Sequence, residues 1–249
     1  MMGHCVVKNP AAGGGRWVEV PPERLVTWVI TFAERHGGAA SGQPVTTGES
    51  GAAVTFTCAD GATAECHPPF PPLPAPVPGA VRAAAEALAA HAAADRTVGV
   101  LLVRLGGYAA GVFSGSPPRL MDSKTGSRPV HGRSAAGGWS QQRFARRREN
   151  QAATALRAAA DAAAEVFGRY GPDRLDAVVL GGDKRSAAGL ADLRGQRGNT
   201  RLEEYLAKAT GRFLTVPDPR LAVLRDIPRA FLATRIRLTE PESISPVTG

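Results

Sequence analysis

Between His67 and Gly79 the chain runs HPPFPPLPAPVPG, with seven prolines in thirteen residues. Each proline lacks an amide hydrogen and holds φ near one value, so this run can form neither a helix interior nor a central strand. It has to be extended, and the elements on either side must find their backbone partners elsewhere. The economical expectation is a stiff connector (67–79) between a small α+β N-terminal unit (1–66) and a larger domain (80–240), with a tail at 241–249. A ligand for a proline-binding domain is the less economical reading.

Before the prolines, residues 16–20 (RWVEV) read as a short strand. Pro21-Pro22 then opens a helix to about Arg35 with Leu25, Val29 and Phe32 on one face. His36-Gly37-Gly38 ends it, and residues 39–51 are rich in turn formers. Residues 53–66 alternate around Asp60-Gly61 and read as a hairpin. With a two-residue loop, Cys58 lies opposite Thr63 and Cys66 opposite Thr55, so the two thiols point to different faces and no disulfide forms. His4-Cys5 and Cys66-His67 match no familiar ligand spacing, so neither a metal nor a cofactor is expected. The glycines at 13–15 lack the Lys-Ser/Thr of a phosphate loop and read as a flexible leader.

After the prolines comes an alanine-rich helix, Ala80 to Arg96. Two strands follow, VGVLLVRL (98–105) and YAAGVFSG (108–115), joined by Gly106-Gly107 as a hairpin. PRLMDS (118–123) adds a third antiparallel strand. A helix from about Gln142 to Arg169 carries a stripe of Phe144, Ala152, Ala155, Leu156, Ala159, Ala163, Val166, Phe167 and Tyr170. LDAVVLGG (175–182) is apolar on both faces, as a central parallel strand is. A helix at 201–210, a strand at 213–217 and a last strand or helix at 231–238 complete the order. The result is an α/β fold, a mixed sheet flanked by helices, and its element order resembles ribonuclease-H-like cores.

Charge is concentrated in one place. Lys plus Arg exceed Asp plus Glu by 30 to 22, and seven of the basic residues lie between Lys124 and Gln151, where no acid precedes Glu149. At the centre stands Gly137-Gly138-Trp139-Ser140-Gln141-Gln142, followed by Arg143, Arg146, Arg147 and Arg148. A glycine loop carrying amides on a cationic stem suits a polyanionic partner. No run approaches the roughly 18 apolar residues of a membrane span, and the N-terminus lacks a signal peptide's apolar core. A cytoplasmic location, and a monomer able to enter a narrow site, are the expectations.

The chain lacks HExxH, GxSxG and CxxC patterns. Asp122 and Asp183 stand near strand ends as capping or turn residues, and two scattered acids do not make a two-metal nuclease. His131 lies among arginines, which lower its basicity, so it suits a structural or phosphate-binding role better than that of a general base. Ser140 has no evident base beside it. A glutamine, by contrast, can orient water and hydrogen-bond a developing oxyanion when inserted into a site that already aligns an ester. The residues alone equally allow a basic loop with incidental glutamines.

The segment Gly137 to Phe144 followed by RRREN resembles the Vms-like release factors, in particular their actinobacterial peptidyl-tRNA hydrolase branch. These are relatives of the eukaryotic and archaeal translation release factors, whose middle domain carries a Gly-Gly-Gln loop. The resemblance covers residues 80–240, including VVLGGD and VPDPRLAVLRDIP. It implies a release-factor domain of ribonuclease-H-like fold that enters the peptidyl transferase centre of the large ribosomal subunit and hydrolyses peptidyl-tRNA there. Gly137 and Gly138 would shape the loop, and a glutamine would position the attacking water. Arg143, Arg146, Arg147 and Arg148, with Arg128 and Arg133, would bind RNA phosphates. Trp139 stands where the family has Ser-Gln, which leaves both Gln141 and Gln142 as candidates; Ser140-Gln141 preserves the family's pair. No codon-reading domain is recognisable, so release would be codon-independent, as in ribosome rescue. Cleavage of the tRNA 3′ end, or docking without catalysis, are the alternatives.

Overall fold

The computed structural model describes residues 9–10, 14–46, 52–74, 77, 79–104, 107–127, 140–183, 189 and 200–240, with residues 9–10, 39–46, 52, 140–152 and 200–201 described through their backbone. It divides into two compact units, one of Met1–Ala94 with Leu232–Gly249 and one of Asp95–Phe231.

The first unit is a six-stranded antiparallel sheet with helices on one face. Its strands are β1 (Asn9–Pro10), β2 (Arg16–Val20), β3 (Ala39–Thr46), β4 (Ala52–Cys58), β5 (Thr63–His67) and β11 (Thr234–Thr239), in the order β1-β2-β11-β5-β4-β3. Helices α1 (Pro22–Arg35) and α2 (Val81–Ala93) bury Leu25, Val29, Phe32, Ala84, Ala85 and Leu88 against Val18, Val54, Phe56, Cys66 and Ile236. The face read from the spacing of α1 is therefore the one that packs.

Three expectations for this unit change. Residues 39–46 form a strand rather than turns, and β3 tolerates Gly42 and Pro44 because it is an edge strand, where a missing ladder donor costs little. The hairpin loop has three residues, not two: the Cys58 N–H donates to Ala62 O at 2.9 Å, and Gly61 takes φ +89°. The register becomes Thr57↔Thr63 and Val54↔Cys66. Both thiols then lie buried on the same face, held apart by four residues of register, about 13 Å and beyond disulfide reach.

The third change concerns the prolines. Residues 67–79 connect β5 to α2 inside one unit and do not separate two. Phe70 is buried, Leu73 and Val77 pack on the same core, and His91 Nε2–H donates to the Phe70 carbonyl at 2.6 Å. An extended run with apolar side chains can lie across a core while its carbonyls find side-chain donors. The boundary falls after α2, at Ala94 and Asp95, and the chain returns to the first unit at residue 232. The division at 67–79 and the single domain over 80–240 are replaced accordingly.

The second unit contains β6 (Val98–Arg104), β7 (Gly107–Ser114), β8 (Arg119–Ser127), β9 (Ala177–Gly182) and β10 (Ala209–Thr215), ordered β10-β9-β6-β7-β8. β6, β7 and β8 form an antiparallel meander, while β9 and β10 lie parallel to β6 on its other side. This is the ribonuclease-H-like strand order. Reciprocal bonds between Thr97 and Asp176 set the β6–β9 register: the Asp176 N–H donates to Thr97 O at 2.9 Å and the Thr97 N–H to Asp176 Oδ2 at 2.7 Å. Helices α3 (Ser140–Gly168) and α4 (Thr200–Leu206) cover one face through Ala159, Ala163, Val166, Phe167, Leu202 and Tyr205. On the other face α5 (Leu221–Asp226) brings Leu224 over Gly111, and α6 (Pro228–Phe231) sets Phe231 edge-on to Phe113 at 5.7 Å.

Candidate functional site

β8 carries the chain to the candidate site, and it does so further than its sequence indicates. The ladder continues to Ser127, so Lys124, read as the start of the basic stretch, is a strand residue opposite Ala110. Asp122 likewise lies within the strand and is engaged by Arg169 at 2.7 Å, which removes it from any capping or turn role. Arg169 also meets Glu165 at 3.1 Å, and Glu165 pairs with Lys124. The Lys124 bond holds the Glu165 carboxyl below its ordinary range, and the same bond raises Lys124. Two residues up β8 correspond to four residues back along α3, so the helix runs antiparallel to the strand and returns towards the end where β8 exits.

α3 begins well before the part whose packing is described. Ala155, Ala159, Ala160, Ala162, Ala163, Val166 and Phe167 are buried, whereas Ala153 and Thr154 are exposed. A further thirteen residues of helix, Ser140 to Ala152, precede them, about 20 Å at 1.5 Å per residue. Gln141, Gln142, Arg143, Arg146, Arg147 and Arg148 all stand on this segment, within its first three turns. The helix start also offers backbone N–H groups without intrahelical partners, and a partial positive charge. Gly137, Gly138, Arg128, Arg133, Trp139 and His131 lie outside the described residues.

The sheet edge from which β8 departs is also the carboxyl end of the parallel strands β6, β9 and β10. Open α/β sheets place their ligands at that edge. Here a cleft is lined by Arg104, Thr125, Gly126, Ser127, Asp218 and Arg220. Arg104 donates from Nη1 to the Val216 carbonyl at 2.8 Å and holds Asp218 at 3.8 Å, which ties the end of β6 to the segment after β10. These residues come from three separated strand ends, and no local spacing marks them. The only sequence signal was the segment VPDPRLAVLRDIP, which supplies Asp218 and Arg220.

Among the described residues no group of three His, Cys, Asp or Glu side chains could hold a metal ion, and no helix is long and apolar enough to cross a membrane. What the backbone places together is the start of a long helix with two glutamines on its first turn and four arginines on the turns directly behind them.

Residues 96–237, more than half of the chain, match the family model of the actinobacterial and chloroflexi VLRF1 release factors. Among solved structures, the archaeal translation termination factor aRF1 is similar at 14% identity and a TM-score of 0.37, over 71% of this chain and 51% of that one. The chain thus accounts for about half the length of that factor. No curated protein matches.

Proposed function

Because the chain belongs to the actinobacterial and chloroflexi VLRF1 release factors, we propose that it is a ribosome-dependent peptidyl-tRNA hydrolase that frees nascent chains from stalled ribosomes. The observation that carries this reading is the placement of Ser140-Gln141-Gln142 on the first turn of a 29-residue helix, with Arg143 and Arg146 to Arg148 on the turns directly behind them. Amides at the start of a helix, backed by cationic turns, suit a narrow site walled by RNA. The proposed partners are the large-subunit peptidyl transferase centre and peptidyl-tRNA, reached in the cytoplasm by a monomer.

In this reading Gly137 and Gly138 let the backbone approach the tRNA end closely. The side-chain amide of Gln141 or Gln142 orients a water molecule against the ester carbonyl. Water adds, the bond to the terminal ribose oxygen breaks, and the ribose hydroxyl takes up a proton. The products are a free peptide acid and an intact tRNA, with no metal or cofactor required. Arg143, Arg146, Arg147 and Arg148, with Arg128 and Arg133, neutralise RNA phosphates and fix the approach.

The test uses purified stalled ribosome–peptidyl-tRNA complexes with wild-type protein, Gln141→Ala, Gln142→Ala and the double variant. Peptide release and the integrity of the tRNA 3′ end are read together. Release lost in one glutamine variant, with tRNA intact and binding retained, establishes the esterase. Shortened tRNA identifies a 3′-end endonuclease, and equal release by every variant removes the glutamine mechanism.

A further inference from the structure

The first unit carries a groove that the release reading does not use. It lies along α1 and is lined by Val18, Leu238, Trp28 and Phe32 on its floor, with Arg16, Arg24 and Arg35 around it. Trp28 and Phe32, four residues apart, stack with their ring planes 5° apart at 5.5 Å. His36 continues the row, 4.6 Å from Phe32 and anchored by Asp60 at 2.7 Å. Trp28 is only half-buried, so part of the indole remains open to the groove.

Among the described residues that line the groove, three arginines stand against one acid. Arg24 and Arg35 are exposed, and neither joins an ion pair among the described residues. Arg16 meets Glu240 at 2.9 Å on the surface. Glu23 is that acid, beside Arg24 at the start of α1. Arg24 and Arg35 lie eleven residues apart, about 16 Å along the helix, which is long enough for more than one nucleotide. Thr27 and Thr31 add hydroxyls between them.

A flat aromatic surface flanked by free guanidinium groups is the arrangement that takes a nucleobase on its face and phosphates at its edges. We infer that this groove is a second RNA site, binding single-stranded RNA by stacking on Trp28 and by charge contacts from Arg24 and Arg35. It uses none of the arginines of α3, and it gives the first unit its own share in holding an RNA-rich partner.

The experiment uses the full chain with Arg143, Arg146, Arg147 and Arg148 replaced by alanine, which removes the competing basic segment. A labelled single-stranded RNA of about ten nucleotides is titrated by anisotropy, and photo-crosslinks are mapped by mass spectrometry. Binding should persist in this background and weaken about tenfold or more on adding Arg24→Glu with Arg35→Glu. Both arginines are exposed, so these changes leave the fold intact. Trp28→Phe keeps an aromatic ring on the core and should weaken binding less than Trp28→Ala, and crosslinks should fall on the peptide containing Trp28. Loss of all binding in the background chain overturns the inference. So do crosslinks that avoid α1, or capture of an acidic peptide in place of RNA. Peptide release by the Gln141 and Gln142 variants is read separately, so failure of one proposal leaves the other standing.

Discussion

Gly182 faces the backbone of Val103 so closely that a Cβ at position 182 would lie 1.7 Å from the Val103 carbonyl oxygen. The two residues are partners at the end of the parallel β6–β9 ladder, and Gly182 adopts φ +147°, which side-chain-bearing residues rarely take. This closeness lets β9 and β6 stay paired to their carboxyl ends, beside the edge where β8 leaves for the basic segment.

Gly182→Ala therefore combines a steric clash with backbone strain. It should destabilise the second unit on the order of 3 kcal/mol, by the sum of overpacking and an unfavourable φ. Urea unfolding measures this. Unchanged stability would mean that β9 does not close on Val103 as described.

Replacing the glutamine that acts should lower the rate of peptide release by about 10²–10³-fold while leaving ribosome binding intact, the usual loss on removing one preorganised donor. Gln141→Ala is expected to carry the larger loss, because Ser140-Gln141 keeps the family's pair. Alanine suits a helix, so circular dichroism of either variant should match wild type. Single-turnover release separates this outcome from weakened binding.

Arg143, Arg146, Arg147 and Arg148 should act through phosphate neutralisation. Each substitution to alanine is expected to lower the salt dependence of ribosome binding by about 0.7–0.9 in log–log slope. Arg169→Ala is the internal control, since Arg169 is occupied by Asp122 and Glu165. It should leave the slope unchanged, and an equal slope for all five variants would deny the α3 arginines any special part.

Burial raises the Cys66 thiol far above its ordinary value, and burial also raises Cys58, with Asp60 adding to the effect. A raised folded-state pKa means that the folded protein favours the neutral thiol. That stability is complete below the unfolded value near 9.0 and is lost as pH climbs above it. Thermal stability should thus fall above about pH 9, and the fall should be shallower in Cys66→Ala. Native protein at pH 8 should react slowly with a thiol reagent at both positions and rapidly in urea. Parallel pH profiles for the two proteins would contradict the account.

Much of the fold was legible because it rests on short-range patterns. The spacing of Leu25, Val29 and Phe32 marked the buried face of α1, and the alanine stripe from Ala155 to Phe167 marked that of α3. The glycine break after Leu105 placed the β6–β7 hairpin, and the apolar run 177–182 identified a central parallel strand. The candidate site is a proposal made from residue type, through amides and arginines beside two glycines. Its place at the start of a helix that runs on to Gly168 beside β8 was not legible, since the Lys124–Glu165 and Asp122–Arg169 pairs that set the helix against the strand join residues more than forty apart.

The prolines at 67–79 show the limit most clearly. Composition established that the run is extended, which is a property of each residue's own φ and missing donor. Whether an extended run links two bodies or lies across one is decided by what packs on Phe70, Leu73 and Val77, and those partners are remote in the chain.

By itself, then, the sequence determined where most of the helices and strands form, which faces of them are apolar, where the basic charge gathers, and the order of the ribonuclease-H-like core. Those follow from propensity and period, which act over a few residues. Tertiary structure alone decided that Thr234–Thr239 inserts between β2 and β5, more than two hundred residues after β2, with Ile236 opposite Val18 and Cys66. It also decided that Cys58 and Cys66 share a face, and that Gly182 closes on Val103. An alternating strand can pair in many places, and a one-residue shift turns its side chains over. The choice among those pairings belongs to the whole core, through which arrangement buries all the apolar faces at once.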